Sequence, residues 1–186
     1  PSVDSINPDF TFILHIAPHA KRGYYQANVM VDLCGEPLSN RRYREHRHEA
    51  PLRENLAAGV VASFDAITRP EGDPDVLIDL MCGSGTLIIE ALMARLNIPA
   101  AYLKLRDYAK DRPAFAFEEQ FWFRENQTLI DQSKAFADEL LETARENKAT
   151  AKLTAFAYDT AKSSLIMTEN HLRKLGLGKF VKVQLG

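Results

Sequence analysis

A short apolar run that leads directly into a glycine-rich turn restricts the fold of this chain more than any other feature. Residues 76–80 (Val-Leu-Ile-Asp-Leu) are almost wholly apolar, as expected of a strand buried in a parallel sheet. The turn Cys82-Gly-Ser-Gly85 follows, and a predicted helix covers residues 86–96. A strand that passes through a glycine turn into a helix is typical of the first half of a βαβ unit.

The remainder of the sequence continues the same alternation of strands and helices. We predict strands over 153–158 and 179–185, separated by a helix over 160–175 that glycine ends. Such alternation implies right-handed crossovers and a parallel sheet with the strand order 3-2-1. The predicted fold class is therefore α/β, a partial Rossmann-like sheet. The strand over 76–80 would be an exposed edge, which favours edge-strand pairing or a dimer.

Two further strands are predicted before this α/β part. They cover residues 9–17 and 24–33, with turn-like residues 18–23 between them. The alternation favours an antiparallel pair with one buried face, formed in the first strand by Phe10, Phe12, Leu14 and Ile16.

A charged segment over residues 36–49 separates the two parts and predicts a domain junction. Arginine side chains match phosphate geometry, and we predict RNA contacts from Arg41, Arg42, Arg44 and Arg47. A solvated linker is the alternative for such a charge run. His46 and His48 lie in the same segment, but two histidines rarely form a site without further ligands, so no metal is predicted.

A helix is predicted to follow the charged segment. It begins at Pro51, because a proline in the first turn loses no helical hydrogen bond. Apolar residues at helical spacing, expected to face the core, are Leu52, Leu56, Val60 and Phe64.

The candidate functional residues surround the glycine turn. Glycines let a ligand approach the backbone closely, and the N-terminus of the following helix attracts negative groups. A dinucleotide fingerprint needs a third glycine where this chain has Ile88, which disfavours a nicotinamide-dependent oxidoreductase. Asp79 before the turn and Asp159 after the next strand are instead the arrangement that binds S-adenosylmethionine.

Three sequence motifs resemble those of the ribosomal RNA large subunit methyltransferase K/L family. They are Tyr43-Arg-Glu-His46, the run from Glu49 to Ala58 (Glu-Ala-Pro-Leu-Arg-Glu-Asn-Leu-Ala-Ala), and Asp79-Leu-Met-Cys-Gly-Ser-Gly-Thr86 with Glu90-Ala91. Members of this family contain a THUMP domain and have also been called N6-adenine-specific DNA methylases. The resemblance implies that residues 1–35 end a THUMP-like RNA-binding domain, 36–49 form a basic linker, and 50–186 form the N-terminal, cofactor-binding part of a methyltransferase domain.

The resemblance also implies a class I S-adenosylmethionine-dependent methyltransferase sheet and assigns residues to its cofactor. Asp79 and the two glycines would surround the methionine end, Ser84 and Thr86 would offer donors to the carboxylate, and Asp159 would hold the ribose. The full set of expected cofactor-binding residues is Asp79, Met81, Gly83, Ser84, Gly85, Thr86, Asp159, Pro51 and Leu52.

The implied activity is methylation of an exocyclic base amine, that of guanine in 23S ribosomal RNA. A DNA adenine methyltransferase and a non-catalytic RNA-binding module are the alternatives. The family's Asn-Pro-Pro-Tyr loop, which holds the target base, does not occur in this sequence. No catalytic residue is therefore assigned, and we expect the chain to be an inactive fragment when it is alone.

Composition excludes several other classes of protein. The formal net charge of −2 excludes a wholly basic nucleic-acid binder, and no apolar run is long enough to cross a membrane. Two cysteines, Cys34 and Cys82, are too few for a disulfide scaffold or a four-ligand zinc site. We expect a reduced, cytoplasmic protein. No histidine near Cys82 in sequence would activate it as a nucleophile, and the family resemblance implies that it lies in the pocket wall.

Overall fold

The computed structural model describes residues 8, 10–44, 52–68, 76–107 and 115–186, except for the side chains of 65–68. The chain divides into two compact units, Pro1–Pro37 with Tyr108–Ala135 and Leu38–Asp107 with Phe136–Gly186. The boundary after Pro37 falls inside the segment that the sequence predicts as a domain junction.

The first unit contains an antiparallel strand pair. Strand β1 (Phe12–Pro18) pairs with β2 (Tyr25–Val31), so that Phe12 lies opposite Val31 and Leu14 opposite Val29. The predicted pair is confirmed, but the predicted burial of one face is wrong for the described residues. No described element of the unit covers that face. Its apolar side chains are therefore exposed, namely those of Phe10, Phe12, Leu14 and Ile16.

The second unit is built on a parallel three-stranded sheet. Its strands are β3 (Val76–Asp79), β4 (Thr154–Asp159) and β5 (Val181–Leu185), in the order β3-β4-β5. Both pairs of neighbours are parallel, and Asp79 lies opposite Ala157 of β4. The predicted α/β class, strand order and central position of the second strand are confirmed.

Six α-helices lie in the described residues. They are α1 (Glu54–Thr68), α2 (Thr86–Arg95), α3 (Tyr102–Asp107), α4 (Phe121–Arg124), α5 (Gln127–Thr150) and α6 (Lys162–Leu175). Short 3-10 helices cover Ala116–Glu119 and Gly178–Phe180. Gly176 ends α6 with φ +69°, and the Leu177 N–H donates to the Leu172 carbonyl, as at many glycine-terminated helices.

The core of the second unit lies where α2, α3 and α6 pack against the sheet. Its largest fully buried apolar side chains include Ile89, Leu92, Leu103, Leu172 and Leu175. Burial of such apolar side chains in close packing stabilises the unit. This packing fixes the positions of the loops at the carboxyl ends of the strands.

Helix α1 buries a different face from the one that its sequence pattern predicts. Leu56, Val60 and Phe64 are exposed, whereas Ala57 and Val61 are buried. The predicted core stripe is therefore wrong for the described residues. The physical reason is that β3 is an edge strand here, so no described element beyond it covers this side of α1.

Candidate functional site

The loop between β3 and α2 has a backbone that needs glycine at two positions. Gly83 has φ +54° and Gly85 has φ +81°, both in the left-handed region that disfavours other residues. A Cβ on Gly85 would lie 2.8 Å from Cγ2 of Thr168, whereas a Cβ on Gly83 would meet no atom within 4 Å. The loop is therefore packed on its Gly85 side and has open space beside Gly83.

The two predicted acidic residues are brought to the same loop. Asp159, at the end of β4, accepts hydrogen bonds from the Gly83 N–H at 2.9 Å and the Ala161 N–H at 2.8 Å. The Cys82 N–H donates to the Tyr158 carbonyl at 2.8 Å, which ties the loop to the neighbouring strand. The carboxyl ends of parallel strands meet at one edge of a sheet, and ligands of α/β folds bind at this edge.

Asp79 ends β3 as a half-buried carboxyl whose Oδ1 accepts the Met81 N–H at 3.2 Å. Burial raises the pKa of this carboxyl above its usual range, and the negative charge of Asp159 raises it further, whereas the hydrogen bond from Met81 opposes the shift. Two carboxyl groups that disfavour each other's charge form a site in which a cation or hydroxyl donors are favourable neighbours.

Ser84 and Thr86 are buried beside the loop, with their hydroxyl oxygens 3.4 Å apart. The Arg44 guanidinium donates to Thr86 Oγ1 at 2.7 Å. Because the guanidinium has no acceptor, the Thr86 oxygen must accept this bond, and its own hydrogen can still be donated elsewhere. The pair can therefore supply hydroxyl donors to an anionic group.

The predicted RNA-facing orientation of the arginines is wrong for two of them. Arg41 forms a bidentate ion pair with Glu90 at 3.1 Å, with side chains only 9% and 3% exposed. Arg44 contacts Thr86 and lies 3.2 Å from the Glu54 carboxylate. Both side chains are therefore directed into the second unit, where each guanidinium is paired with an acid.

The remaining predicted residues lie in three different situations. The Arg42 side chain is exposed, and Arg47 and Pro51 lie outside the described residues. Met81, at the tip of the loop, is 86% exposed, and Leu52 is also exposed. Met81 and Leu52 are therefore accessible, and their described hydrogen bonds are backbone ones, from the Met81 N–H to Asp79 and from Arg44 to the Leu52 carbonyl.

The sequence predicted no role for four residues that contact the loop or the side chains around it. Thr168 and His171 of α6 are buried and bond to loop carbonyls, Tyr43 is fully buried against His171, and Glu90 anchors Arg41. The signals in the sequence were Tyr43 and Glu90, which both belong to motifs that carry the family resemblance. Contacts between residues far apart in sequence leave no periodic pattern.

Cys82 lies in the wall of the loop as a buried thiol. Burial raises its pKa above the usual value, although contact with Thr168 opposes the shift. The thiol therefore stays protonated near neutral pH, which is unfavourable for a nucleophile. In the part of the chain that the structure describes, no group of three potential metal ligands occurs and no helix could cross a membrane.

The fold and the loop together define an α/β domain with a glycine-rich loop between two strand-end carboxyl groups. Residues 41–186 match the family model described as RMKL-like, methyltransferase domain. The chain belongs to this family. The expected relationship to ribosomal RNA large subunit methyltransferases K/L is confirmed by curated relatives of that name.

The relative from Psychrobacter arcticus is 36% identical over 95% of this chain and 22% of its own length. The relative from Desulfotalea psychrophila is 31% identical over 99% of this chain and 23% of its own length. The chain thus spans between a fifth and a quarter of these relatives.

Solved structures agree with the fold. The crystal structure of SMU.472 complexed with SAH (S-adenosylhomocysteine) has a TM-score of 0.64 and 28% identity, covering 94% of this chain and 39% of that chain. A predicted N6-adenine-specific DNA methylase from Listeria monocytogenes has a TM-score of 0.63 at 23% identity, covering 86% of this chain and 36% of that chain. The expected methyltransferase-type sheet is confirmed.

Proposed function

We propose that this chain is the cofactor-binding part of an S-adenosylmethionine-dependent methyltransferase that acts on an exocyclic base amine of large-subunit ribosomal RNA. The observation that carries the proposal is the meeting of Asp79, Asp159 and the Gly83–Gly85 loop at the carboxyl edge of the parallel sheet. Membership of a methyltransferase family and the SAH bound by SMU.472 support the choice of cofactor.

The residues present fit this cofactor. The open space beside Gly83, which a Cβ would enter, leaves room for a ligand against the backbone. The Asp159 carboxylate accepts the Gly83 and Ala161 N–H groups, which holds it at the loop, and as a carboxylate it is a suitable acceptor for a ribose hydroxyl. Ser84 and Thr86 would donate to the cofactor carboxylate, and Asp79 would face its positively charged end. When bound, S-adenosylmethionine supplies an electrophilic methyl group.

The role of the chain in the reaction is alignment. A cofactor held at both its ribose and its amino-acid end has its methyl group fixed in one direction, and orientation of this kind removes a large part of a barrier. We place Met81 and Leu52 at the margins of the site and Pro51 beside Leu52. These three assignments rest on the family resemblance.

The substrate assignment rests on the curated relatives, which are named ribosomal RNA large subunit methyltransferases. We propose the guanine amine of 23S ribosomal RNA as the acceptor, in a cytoplasmic protein that needs no metal. A THUMP-like segment over 1–35 and a basic linker over 36–49 would present the RNA. DNA adenine methylation is the alternative outcome, which a comparison of unmodified ribosomal RNA with duplex DNA as acceptor distinguishes.

The cofactor site is tested by titrating the full-length protein with SAH. Asp159→Ala removes the ribose acceptor and is expected to weaken binding about tenfold or more, since lost hydrogen bonds to a charged group contribute roughly 1.5–3 kcal/mol. Glu139→Ala changes an exposed acid on α5 and serves as the matched control, with unchanged affinity expected. Equal affinity of all three proteins would contradict the site, and lack of SAH binding by the unsubstituted protein would contradict the cofactor.

A further inference from the structure

Helix α6 contacts the glycine loop through a buried threonine. Thr168 is fully buried, and its Oγ1 donates a hydrogen bond to the Gly83 carbonyl at 2.9 Å. Its side chain also fills the space on the Gly85 side, where a Cβ would lie 2.8 Å from Cγ2. One side chain therefore both supports the backbone of the loop and excludes any larger residue at Gly85.

A second residue of α6 holds the next carbonyl along the loop. His171 Nδ1 lies 2.9 Å from the Ser84 carbonyl, and the ring is 4% exposed. A carbonyl oxygen can only accept, so Nδ1 carries a hydrogen and donates it. The imidazole packs against the fully buried Tyr43 ring, with centroids 5.4 Å apart, which restricts its rotation.

Two consecutive carbonyls held from one side determine the direction of the amides that follow them. In a trans peptide plane the C=O and the next N–H point in opposite directions. The Ser84 and Gly85 N–H groups therefore point away from the α6 side chains that hold the preceding carbonyls. The Gly85 N–H donates to the Cys82 carbonyl at 2.7 Å. Of the two amides, the Ser84 N–H is therefore the one that these contacts would direct toward a ligand.

We propose that Thr168 and His171 are positioning residues that orient the loop amide and hydroxyls toward the carboxylate of the cofactor. The inference rests on the proposed cofactor site and extends it to two residues that do not face the ligand. Thr168 and His171 would affect only the amino-acid end of the cofactor, because the loop would contact this end and Asp159 would contact the ribose.

The test compares two ligands in the full-length protein. SAH carries the amino-acid end, whereas 5′-methylthioadenosine has the ribose and adenine but lacks the amino and carboxylate groups. Thr168→Val and His171→Leu remove the donors, whereas Thr168→Ser and His171→Asn keep a donor at a similar position. Calorimetric titration with both ligands is made for each variant, with Glu169→Gln on the exposed face of α6 as the control.

We expect Thr168→Val and His171→Leu to weaken SAH binding about tenfold while leaving 5′-methylthioadenosine binding within about twofold. The serine and asparagine variants should bind SAH nearly as the unsubstituted protein does. An equal loss for both ligands, or no loss for either, would overturn the inference and leave the cofactor site intact. Failure of the unsubstituted protein to bind SAH would contradict the proposed function itself.

Discussion

Asp79 is a residue whose charge is unfavourable for folding and favourable for the proposed ligand. Its pKa is raised in the folded protein by burial and by Asp159, so the folded state binds a proton more tightly than the unfolded state. The ionised carboxyl therefore lowers the free energy of unfolding at pH values above the raised pKa. This destabilisation is lost as the pH falls from the raised pKa toward the ordinary value of the carboxyl. The same negative charge would attract the positively charged end of S-adenosylmethionine.

Asp79→Asn is therefore expected to raise the free energy of unfolding near neutral pH and to weaken SAH binding. The amide oxygen can still accept the Met81 N–H, so the turn is preserved. Urea denaturation should show that the stability difference between variant and unsubstituted protein shrinks as the solution is acidified. Asp138→Asn, on the exposed face of α5, is the control and should show no such trend. Lower stability of Asp79→Asn at neutral pH would contradict the interpretation.

The two loop glycines should respond differently to alanine. Both have positive φ, which costs roughly 1–2 kcal/mol for a residue with a Cβ. Gly85→Ala also forces its Cβ against Thr168, so its loss of stability should exceed that of Gly83→Ala. Gly83→Ala should mainly lose SAH affinity, because its Cβ enters the open space. Thermal denaturation and SAH titration of both variants check this.

A glycine with ordinary helical geometry provides the control for these substitutions. Gly59 lies within α1, and a Cβ there would meet no atom within 4 Å. Gly59→Ala should therefore leave stability unchanged or raise it by about 0.5–1 kcal/mol. A similar response of all three glycines to alanine would refute the assigned roles of the loop positions.

At the scale of elements, the segment before α1 is attached to α2 by a buried ion pair. Arg41 and Glu90 form two hydrogen bonds, and burial raises the pKa of Glu90 although Arg41 opposes the shift. Removal of one partner leaves a buried charge unpaired, which costs about 3–5 kcal/mol. We expect Arg41→Ala and Glu90→Ala each to reduce stability by this amount.

The double variant should lose much less than the sum of the single variants, since neither charge is left unpaired. Urea denaturation of the four proteins completes the cycle. The exposed pair Arg145–Glu142 on α5 is a matched control, and its removal should cost less than about 1 kcal/mol. Additive effects at Arg41 and Glu90 would show that the pair does not couple the two elements.

The elements that could be predicted from the sequence are those whose signals are local. The apolar run before Asp79, the glycine turn and the glycine at the end of α6 each act through their own backbone conformation or burial. The buried face of α1 could not be predicted in this way. An apolar stripe shows that a helix face tends to be covered, but not which element covers it.

The residues of the candidate site also differ in whether their signals in the sequence are local. Asp79 and Asp159 were predictable because each ends a strand, and parallel register brings such ends together. The contacts of Arg41 and Arg44 could not be predicted in this way. Arg41 bonds to Glu90 and Arg44 to Thr86, and each of these partners lies more than forty positions away in sequence. The cluster of charges in the sequence therefore predicted solvent exposure for Arg41 and Arg44, whose side chains are largely buried.

At the scale of the whole molecule, the proposed binding of RNA rests on fewer arginines than the sequence predicts. Arg42 and Arg47 keep their proposed phosphate contacts, and their joint replacement by alanine in the full-length protein should weaken ribosomal RNA binding. Each lost phosphate contact should reduce the slope of log affinity against log salt by about one unit. Lys134→Ala together with Arg124→Ala, both exposed, is the charge-matched control. An unchanged affinity and slope would identify the segment as a solvated linker.

Methyl transfer requires more than a cofactor site. The described residues hold Asp79, Asp159 and the glycine loop in one arrangement, but no Asn-Pro-Pro-Tyr occurs in the sequence to hold a target base. If the base is held by such a loop, as the family resemblance implies, the chain alone would not align the acceptor amine with the methyl group, and the orientational contribution to the rate would be lost. We therefore expect the 186-residue chain alone to transfer no methyl group to unmodified ribosomal RNA, whereas the full-length protein does. A radiolabelled methyl-transfer assay compares the two, and comparable turnover by the chain alone would mean that one of its own residues holds the base.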